Sequence, residues 1–170
     1  MKNLFKPKNV FWLVTLGAVV AASASFYIQY GLGAKPCPLC IFQRVGVICV
    51  GLVSLILALI FTLCPPKKSW KNILANCIAS IPAILGGSVS IQHLYIQSLP
   101  PEEVPACGPG LNFMMDTMPF TKVLSTVLYG SGECAEVQTF LWVPLPLWSL
   151  IFFAGVLLFI WGCWFRIGRK

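Results

Sequence analysis

The most informative feature of this sequence is its shortage of charge. Charged residues make up 10% of the 170 residues and hydrophobic residues make up 58%, whereas an ordinary soluble domain carries about 25% charged residues. A chain so poor in charge cannot cover a water-exposed surface, which excludes a conventional soluble protein. Disorder is also excluded, because disordered segments have low hydrophobicity. The composition therefore predicts a membrane protein, and its eight cysteines need a separate explanation.

Long uncharged segments indicate where the chain crosses the membrane. Four such segments each exceed the roughly 20 residues that a helix needs to span the hydrocarbon core. The predicted helices lie near residues 10–30, 41–63, 73–97 and 144–165. We therefore predict an all-α membrane protein, a four-helix transmembrane bundle that forms one integral membrane domain over residues 1–170. Two loops, residues 31–40 and 98–143, connect the helices on one side.

The basic residues predict the orientation of the bundle. Nine of the twelve Lys and Arg residues flank the helices on the side opposite those two loops. They are Lys2, Lys6, Lys8, Lys67, Lys68, Lys71, Arg166, Arg169 and Lys170. The positive-inside rule then places both termini in the cytoplasm and the two loops outside. These basic residues form three short groups beside the lipid bilayer, a pattern that does not favour nucleic-acid binding.

Two smaller features of the sequence leave alternatives open. Residues 22–24, Ala-Ser-Ala, resemble a signal-peptide cleavage site, but the uncharged run is longer than a usual signal-peptide core. In the second loop, apolar residues with helical spacing predict a short amphipathic helix. They are Phe120, Val123, Leu124, Val127 and Leu128. This helix either lies on the outer membrane surface or packs on the loop itself.

The predicted topology divides the eight cysteines into two groups. Four of them lie in or at the inner ends of apolar helices, where cysteine usually behaves as a small hydrophobic residue. These are Cys49, Cys64, Cys77 and Cys163. The other four are Cys37, Cys40, Cys107 and Cys134. They fall in outward-facing segments, where an oxidising compartment favours disulfide chemistry.

The first outward pair has the spacing of a redox-active motif. Cys37-Pro38-Leu39-Cys40 is a Cys-x-x-Cys sequence at the predicted start of the second helix. The free backbone N–H groups and the dipole of a helix N-terminus favour a thiolate there. A stabilised thiolate is a better leaving group in thiol–disulfide exchange.

The second outward pair, Cys107 and Cys134, permits three interpretations. A disulfide between them would close a loop of about 27 residues and contribute roughly 3–4 kcal/mol to stability. All four outward cysteines could instead hold zinc, although zinc sites usually have two short Cys-x-x-Cys motifs and this chain has one. The third interpretation is redox chemistry with the Cys37–Cys40 pair.

Two ionisable residues lie within the predicted membrane helices near this motif. Arg44 follows Cys40 by one helical turn and therefore shares its helix face. His93 lies about one turn below the outer end of the third helix, so we expect it at a similar depth. Ionisable residues inside the membrane are costly and usually functional. Arg44 could instead extend to lipid headgroups, and His93 could be a hydrogen-bonded interfacial residue. Beside Cys40, the two predict an outer-leaflet pocket suited to an apolar two-electron acceptor with two oxygens, such as a quinone.

These motifs resemble those of the bacterial disulfide-bond formation protein B family. The matching segments are residues 35–44, 93–100 and 131–136, followed by Pro146 and Trp148. Vitamin K epoxide reductase-like proteins use similar parts, but their loop cysteines precede the Cys-x-x-Cys motif, whereas here they follow it.

The resemblance implies an activity and a role for each site residue. The protein would reoxidise a periplasmic thioredoxin-fold dithiol oxidase and pass the electrons to a membrane quinone, either ubiquinone or menaquinone. Cys37 and Cys40 would be the quinone-linked pair, with Cys40 contacting the quinone ring. Cys107 and Cys134 would form the disulfide that the partner attacks, with Cys107 taking the mixed disulfide. Arg44 and His93 would bind the quinone. The family resides in the bacterial inner membrane.

Two other functional classes remain as alternatives to this enzyme. A four-span structural protein would use a Cys107–Cys134 disulfide only to stabilise its outer loop. A metal-binding membrane protein would retain zinc on its outward cysteines. The residues favour the redox enzyme, because a structural protein would not need Arg44 beside the Cys-x-x-Cys motif.

Overall fold

The protein is an all-α four-helix membrane bundle. The computed structural model describes residues 7–33, 36–65, 69–100, 102, 113, 116–129, 134–135, 137, 139–140 and 142–168. Its elements in chain order are α1 (Pro7–Gly31), α2 (Pro38–Leu63), α3 (Ser69–Ser98), α4 (Phe120–Tyr129), β1 (Thr139–Phe140), β2 (Val143–Pro144) and α5 (Leu145–Gly168). Cys107 lies outside the described residues.

The four long helices α1, α2, α3 and α5 are long and apolar enough to cross a membrane. Their outer faces expose large apolar side chains, such as Leu16, Ile84 and Leu158. Water would not tolerate so much apolar surface, but lipid does, so these faces are consistent with a bilayer. Inside the bundle, α1 packs on α2, α2 on α3 and α3 on α5, while α1 and α5 meet at fewer positions.

A close approach of α2 and α3 depends on two glycines. A Cβ atom on Gly46 would lie 3.3 Å from the Cα atom of Gly86. A Cβ atom on Gly86 would lie 2.3 Å from Cζ of Phe153, a distance that real Cβ atoms do not reach. Phe153 from α5 thus fills the space that the missing side chain leaves. Glycine at this position lets three helices meet in one layer of the core.

The N-terminus of α2 is built from the Cys-x-x-Cys motif itself. Cys37 is the N-cap residue, and Pro38 occupies the first helical turn, where its missing N–H group costs nothing. The Cys40 N–H donates to Cys37 Sγ at 3.4 Å, and the Ile41 N–H donates to the Cys37 carbonyl at 3.2 Å. These bonds start the helix at Pro38 rather than near residue 41. The first turn therefore carries both sulfur atoms.

Parts of the outer loop pack on the outer end of the bundle. Val123 of α4 is buried against Cys37 and Cys134. Val123 therefore packs inward; the side chains of Phe120, Leu124, Val127 and Leu128 lie outside the described residues. The antiparallel strands β1 and β2 pair Phe140 with Val143. Trp148 Nε1 donates to the Phe140 carbonyl at 3.1 Å, which ties this hairpin to α5.

Candidate functional site

The centre of the site is the pair of thiols at the start of α2. Cys37 Sγ and Cys40 Sγ are 3.1 Å apart, in contact but not bonded. Cys37 is buried, whereas Cys40 is partly exposed. The helix N-terminus directs free N–H groups at these sulfur atoms and so stabilises a thiolate. The two cysteines therefore have different environments: Cys37 lies among protein side chains, and Cys40 faces a cavity that is described below.

Helix α3 and the outer loop bring His93 and Cys134 to Cys37. His93 Nε2 lies 3.7 Å from Cys37 Sγ and 3.1 Å from the backbone carbonyl oxygen of Cys134. Both sulfur atoms and a ring nitrogen of His93 lie within 4.8 Å of one another. These three residues are 41 and 56 positions apart in sequence. Tertiary packing thus places a loop cysteine beside the motif.

The same three residues have side chains that could bind a soft metal ion. A metal would need the lone pair of a histidine nitrogen as well as both sulfur atoms. His93 Nε2 faces the Cys134 carbonyl oxygen, which can only accept a hydrogen bond. A proton on that nitrogen would leave it no lone pair for a metal, so the contact with the carbonyl oxygen favours thiol chemistry over metal binding.

Apolar side chains enclose the sulfur atoms. Leu39 of α2, Ile96 of α3 and Val123 of α4 are buried and pack with Cys37 and Cys134. Such a cover excludes water and strengthens electrostatic interactions within the site. These two sulfur atoms therefore lie away from bulk solvent.

Arg44, one turn after Cys40 on α2, is held in place by helix α1. Arg44 Nε donates to Ser25 Oγ at 2.9 Å, Nη2 donates to the Ser25 carbonyl at 3.3 Å, and Nη1 donates to Gln29 Oε1. The guanidinium also stacks over Phe26, with Cζ 4.6 Å from the ring centroid. A guanidinium has five N–H donors, so two remain beyond these three bonds. Arg44 is thus oriented before any ligand binds.

A cavity of about 720 Å³ opens between α1, α2 and α5. Its walls include Cys40, Gln43 and Arg44, and most of the remaining lining is apolar, with Leu16 from α1 and Phe152 from α5 as examples. The volume lies in the usual range for small-molecule sites, about 300–1,000 Å³. A large apolar volume with few polar groups suits a lipid-soluble ring that carries oxygen atoms.

The structure separates the sequence-predicted site residues into two groups. Cys40 and Arg44 both line the cavity, whereas His93 is absent from the described residues that line it. His93 instead contacts Cys37 and the Cys134 backbone. The expected similar depth of Arg44 and His93 does not bring them together, because α1 holds Arg44 on the far side of α2. Cys107 lies outside the described residues.

Sequence reasoning missed three polar residues of the site. Ser25 and Gln29 anchor Arg44, and Gln43 lies 3.2 Å from His93. Ser25 and Gln29 are one turn apart in an otherwise apolar span, a pattern that indicates a polar face. Gln43 lies inside a membrane helix directly before Arg44, and an uncompensated amide there would be costly. Both patterns were available in the sequence.

The fold and the site together define a class. A Cys-x-x-Cys pair at the end of a membrane helix, beside a loop cysteine, indicates a multi-pass membrane oxidoreductase that acts on disulfides. Comparison with known proteins agrees. Residues 7–163 match the family model described as "Disulfide bond formation protein DsbB".

Relatives under the name "Disulfide bond formation protein B" cover nearly the whole chain. The protein from Chromobacterium violaceum is 43% identical over 161 residues, which is 94% of this chain and 92% of the relative. The protein from Acinetobacter baylyi is 43% identical over 147 residues, or 86% and 84% of the two chains. The Nitrosococcus oceani protein is 41% identical over 149 residues, 85% of each chain. This chain belongs to the disulfide bond formation protein B family.

Proposed function

We propose that the protein is a dithiol:quinone oxidoreductase of the bacterial inner membrane, with both termini in the cytoplasm. It would reoxidise a soluble periplasmic dithiol oxidase of the thioredoxin fold and deliver the electrons to ubiquinone or menaquinone. The observation that carries this proposal is the cavity between α1, α2 and α5. One wall holds Cys40 and Arg44, and two N–H donors of Arg44 have no partner among the described residues.

The residues of the cavity fit a quinone. A bound quinone would supply the two-electron acceptor for the Cys37–Cys40 dithiol. Arg44 would donate to a quinone oxygen and stabilise negative charge there, an effect that is strong where water is excluded. Apolar residues of α1 and α5 would hold the ring and the start of the isoprenoid chain, and Cys40 would face the ring.

Cys134 is the loop cysteine that we propose exchanges with the motif. Its sulfur atom lies within 4.8 Å of Cys37 Sγ, and apolar side chains cover both. The Cys134 thiolate would form a bond to Cys37 Sγ as the Cys37–Cys40 bond breaks, and Cys40 would leave as the thiolate with the electron pair. The Cys107 thiolate would then bond to Cys134 and release Cys37, which leaves Cys37 and Cys40 as the dithiol. Cys40 is the member of the pair that lines the cavity. The electrons would therefore arrive beside the quinone site.

We propose that the partner attacks the Cys107–Cys134 disulfide. A thiolate of the partner would bond to Cys107 and release Cys134 as the leaving thiolate. The second thiol of the partner would then displace Cys107, so that the partner leaves oxidised and two electrons remain on this chain. This division gives Cys107 the contact with the partner and Cys134 the contact with Cys37.

The test follows quinone absorbance after the protein is mixed with a reduced thioredoxin-fold dithiol partner and a short-chain ubiquinone analogue. Cys40→Ser should abolish quinone reduction, because no thiolate would reach the cavity. A Cys49→Ser variant, changed on a lipid-exposed part of the same helix, is the matched control and should turn over normally. Unchanged quinone reduction by Cys40→Ser would overturn the assignment.

A further inference from the structure

One hydrogen-bond chain runs from the cavity wall to the loop cysteine. Gln43 Nε2 lies 3.2 Å from His93 Nδ1, and His93 Nε2 lies 3.1 Å from the Cys134 carbonyl oxygen. We propose that Gln43 is a positioning residue. Its amide fixes His93 in the tautomer with the proton on Nε2, and His93 thereby holds the Cys134 backbone beside Cys37. The functional part of this inference rests on the proposed exchange between Cys134 and Cys37.

Both ends of the chain require the same tautomer. A backbone carbonyl oxygen only accepts hydrogen bonds, so the ring nitrogen that faces Cys134 must carry a proton. The Gln43 NH₂ group only donates, so the ring nitrogen that faces it must offer a lone pair. A neutral imidazole with its proton on Nε2 meets both requirements, whereas the other tautomer meets neither.

The burial of Gln43 makes this role specific. Gln43 is 3% exposed and His93 is 2% exposed, so bulk water has little access to the bond between them. If an apolar side chain replaced Gln43, His93 Nδ1 would be left without a donor. The ring could then move its proton to Nδ1, and the Nε2 lone pair would face the lone pairs of the Cys134 carbonyl oxygen. The bond that holds the loop would become a repulsive contact.

Gln43 affects the reaction through the position of the hydrogen bond between His93 Nε2 and the Cys134 carbonyl oxygen. Cys134 has to approach Cys37 along the Cys37–Cys40 axis for its thiolate to displace Cys40. The His93 bond acts on the backbone of Cys134 itself, and His93 also lies 3.7 Å from Cys37 Sγ. Loss of the bond should slow the exchange without removing any reacting sulfur atom.

Gln97 provides a matched control within the same site. Its Nε2 lies 3.5 Å from His93 Nε2, and its Oε1 is buried without a hydrogen-bond partner among the described residues. Because His93 Nε2 already donates to Cys134, it has no lone pair for a second donor. Gln97 therefore touches the ring without setting its tautomer, and its loss should leave the ring unchanged.

A direct test is possible because His93 is the only histidine in the chain. Protein labelled with [¹⁵N]histidine and purified without a histidine tag would give the ring-nitrogen signals of this residue alone. The wild-type protein and Gln97→Met should show a protonated Nε2 and an unprotonated Nδ1. Gln43→Met should move proton density to Nδ1. In Gln43→Glu, the carboxylate would accept from Nδ1, so both nitrogens should be protonated and the Cys134 bond kept.

A single-turnover experiment without quinone measures the consequence. The oxidised protein is mixed with an excess of reduced thioredoxin-fold partner, quenched with acid and alkylated, and the reduced Cys37–Cys40 pair is counted by mass spectrometry. Gln43→Met should slow the reduction of this pair about tenfold, the equivalent of one hydrogen bond. Gln43→Glu should restore most of the rate, and Gln97→Met should stay within about twofold of wild type.

Several results would overturn the inference. These are a wild-type ring with Nδ1 protonated, a Gln43→Met variant with an unchanged ring or an unchanged transfer rate, and a Gln97→Met variant that behaves like Gln43→Met. The ring spectrum does not depend on quinone. Failure of the wild-type protein to reduce quinone would therefore count against the proposed function and leave the tautomer result standing on its own.

Discussion

Replacement of Arg44 by lysine tests whether the shape of the guanidinium, and not only its charge, forms the quinone site. Lysine keeps the positive charge but places its three donors on a single nitrogen. Arg44 already uses three N–H groups on Ser25 and Gln29, and its other two have no partner among the described residues. Three α1 acceptor atoms, Ser25 Oγ, the Ser25 carbonyl oxygen and Gln29 Oε1, already match the three donors of a lysine ammonium, so none would remain for a quinone oxygen. We expect Arg44→Lys to lose the bond to the quinone.

The size of the effect follows from that bond. A hydrogen bond that involves a charged group contributes about 1.5–3 kcal/mol, and every 1.4 kcal/mol corresponds to a tenfold change in affinity. The KM for quinone should therefore rise roughly tenfold to hundredfold. Ser25→Ala removes an anchor of the guanidinium but leaves its donors intact. The lost hydrogen bond to the guanidinium should weaken quinone binding by about 1 kcal/mol, which corresponds to a rise in the KM for quinone of roughly fivefold.

The assay is steady-state quinone reduction with a short-chain ubiquinone analogue, with quinone and reduced dithiol partner varied in turn. Only the KM for quinone should change, because Arg44 lines the cavity and Cys134 is not among the described residues that line it. Lys122→Ala, which removes a cation from the exposed surface of α4, is the control for a general loss of charge and should match wild type.

Two results would refute this reasoning. If Arg44→Lys keeps the wild-type KM for quinone, the guanidinium N–H groups do not bind the quinone. If the variant changes only the KM for the dithiol partner, Arg44 acts on the outer loop and the cavity assignment is wrong.

Four further predictions concern packing and the surroundings of the site. Gly86→Ala should lower stability by about 1–3 kcal/mol, because its Cβ overlaps the Phe153 ring, and Phe153→Leu should restore part of the loss in detergent thermal unfolding. Val123→Asn should slow the quinone-free reduction of the Cys-x-x-Cys pair by placing an amide in its apolar cover, with the quinone KM unchanged. Trp142→Gly should raise stability by about 1 kcal/mol, because Trp142 is 98% exposed and has a φ of 68°, a left-handed conformation that glycine adopts without cost. Cys163→Ala should leave quinone turnover unchanged, because this cysteine packs in the bundle core rather than near the cavity.

The membrane fold follows from local properties of the sequence. Runs without charge fix the four spans, since every buried backbone group in lipid must be satisfied within a helix. Pro38 and Cys37 start α2 because a helix N-terminus tolerates proline and needs a cap. The neighbours of Cys40 on its own helix were also predictable from local sequence. Arg44, one turn after Cys40, lines the same cavity. Residues that share a helix face are determined by the 3.6-residue period alone.

The contacts between side chains of different helices could be seen only in the tertiary structure. Sequence reasoning placed His93 at the depth of Arg44, but depth does not determine direction, and the rotation of α3 turns His93 toward Cys37 and Cys134. The partners of Arg44 come from α1, 15 and 19 positions earlier. No short-range pattern specifies such pairs, because side-chain packing across the whole bundle sets the rotation of each helix.

The sequence by itself thus determined the membrane class and the helix that carries the Cys-x-x-Cys motif. Only the tertiary structure decided that Cys134 lies beside the motif and which polar side chains face the cavity. The physical reason is the range of the interactions involved. Hydrophobicity, capping and helical period act within about one turn along the chain. The contacts among Gln43, His93 and Cys134 join three segments that meet only when the bundle has packed.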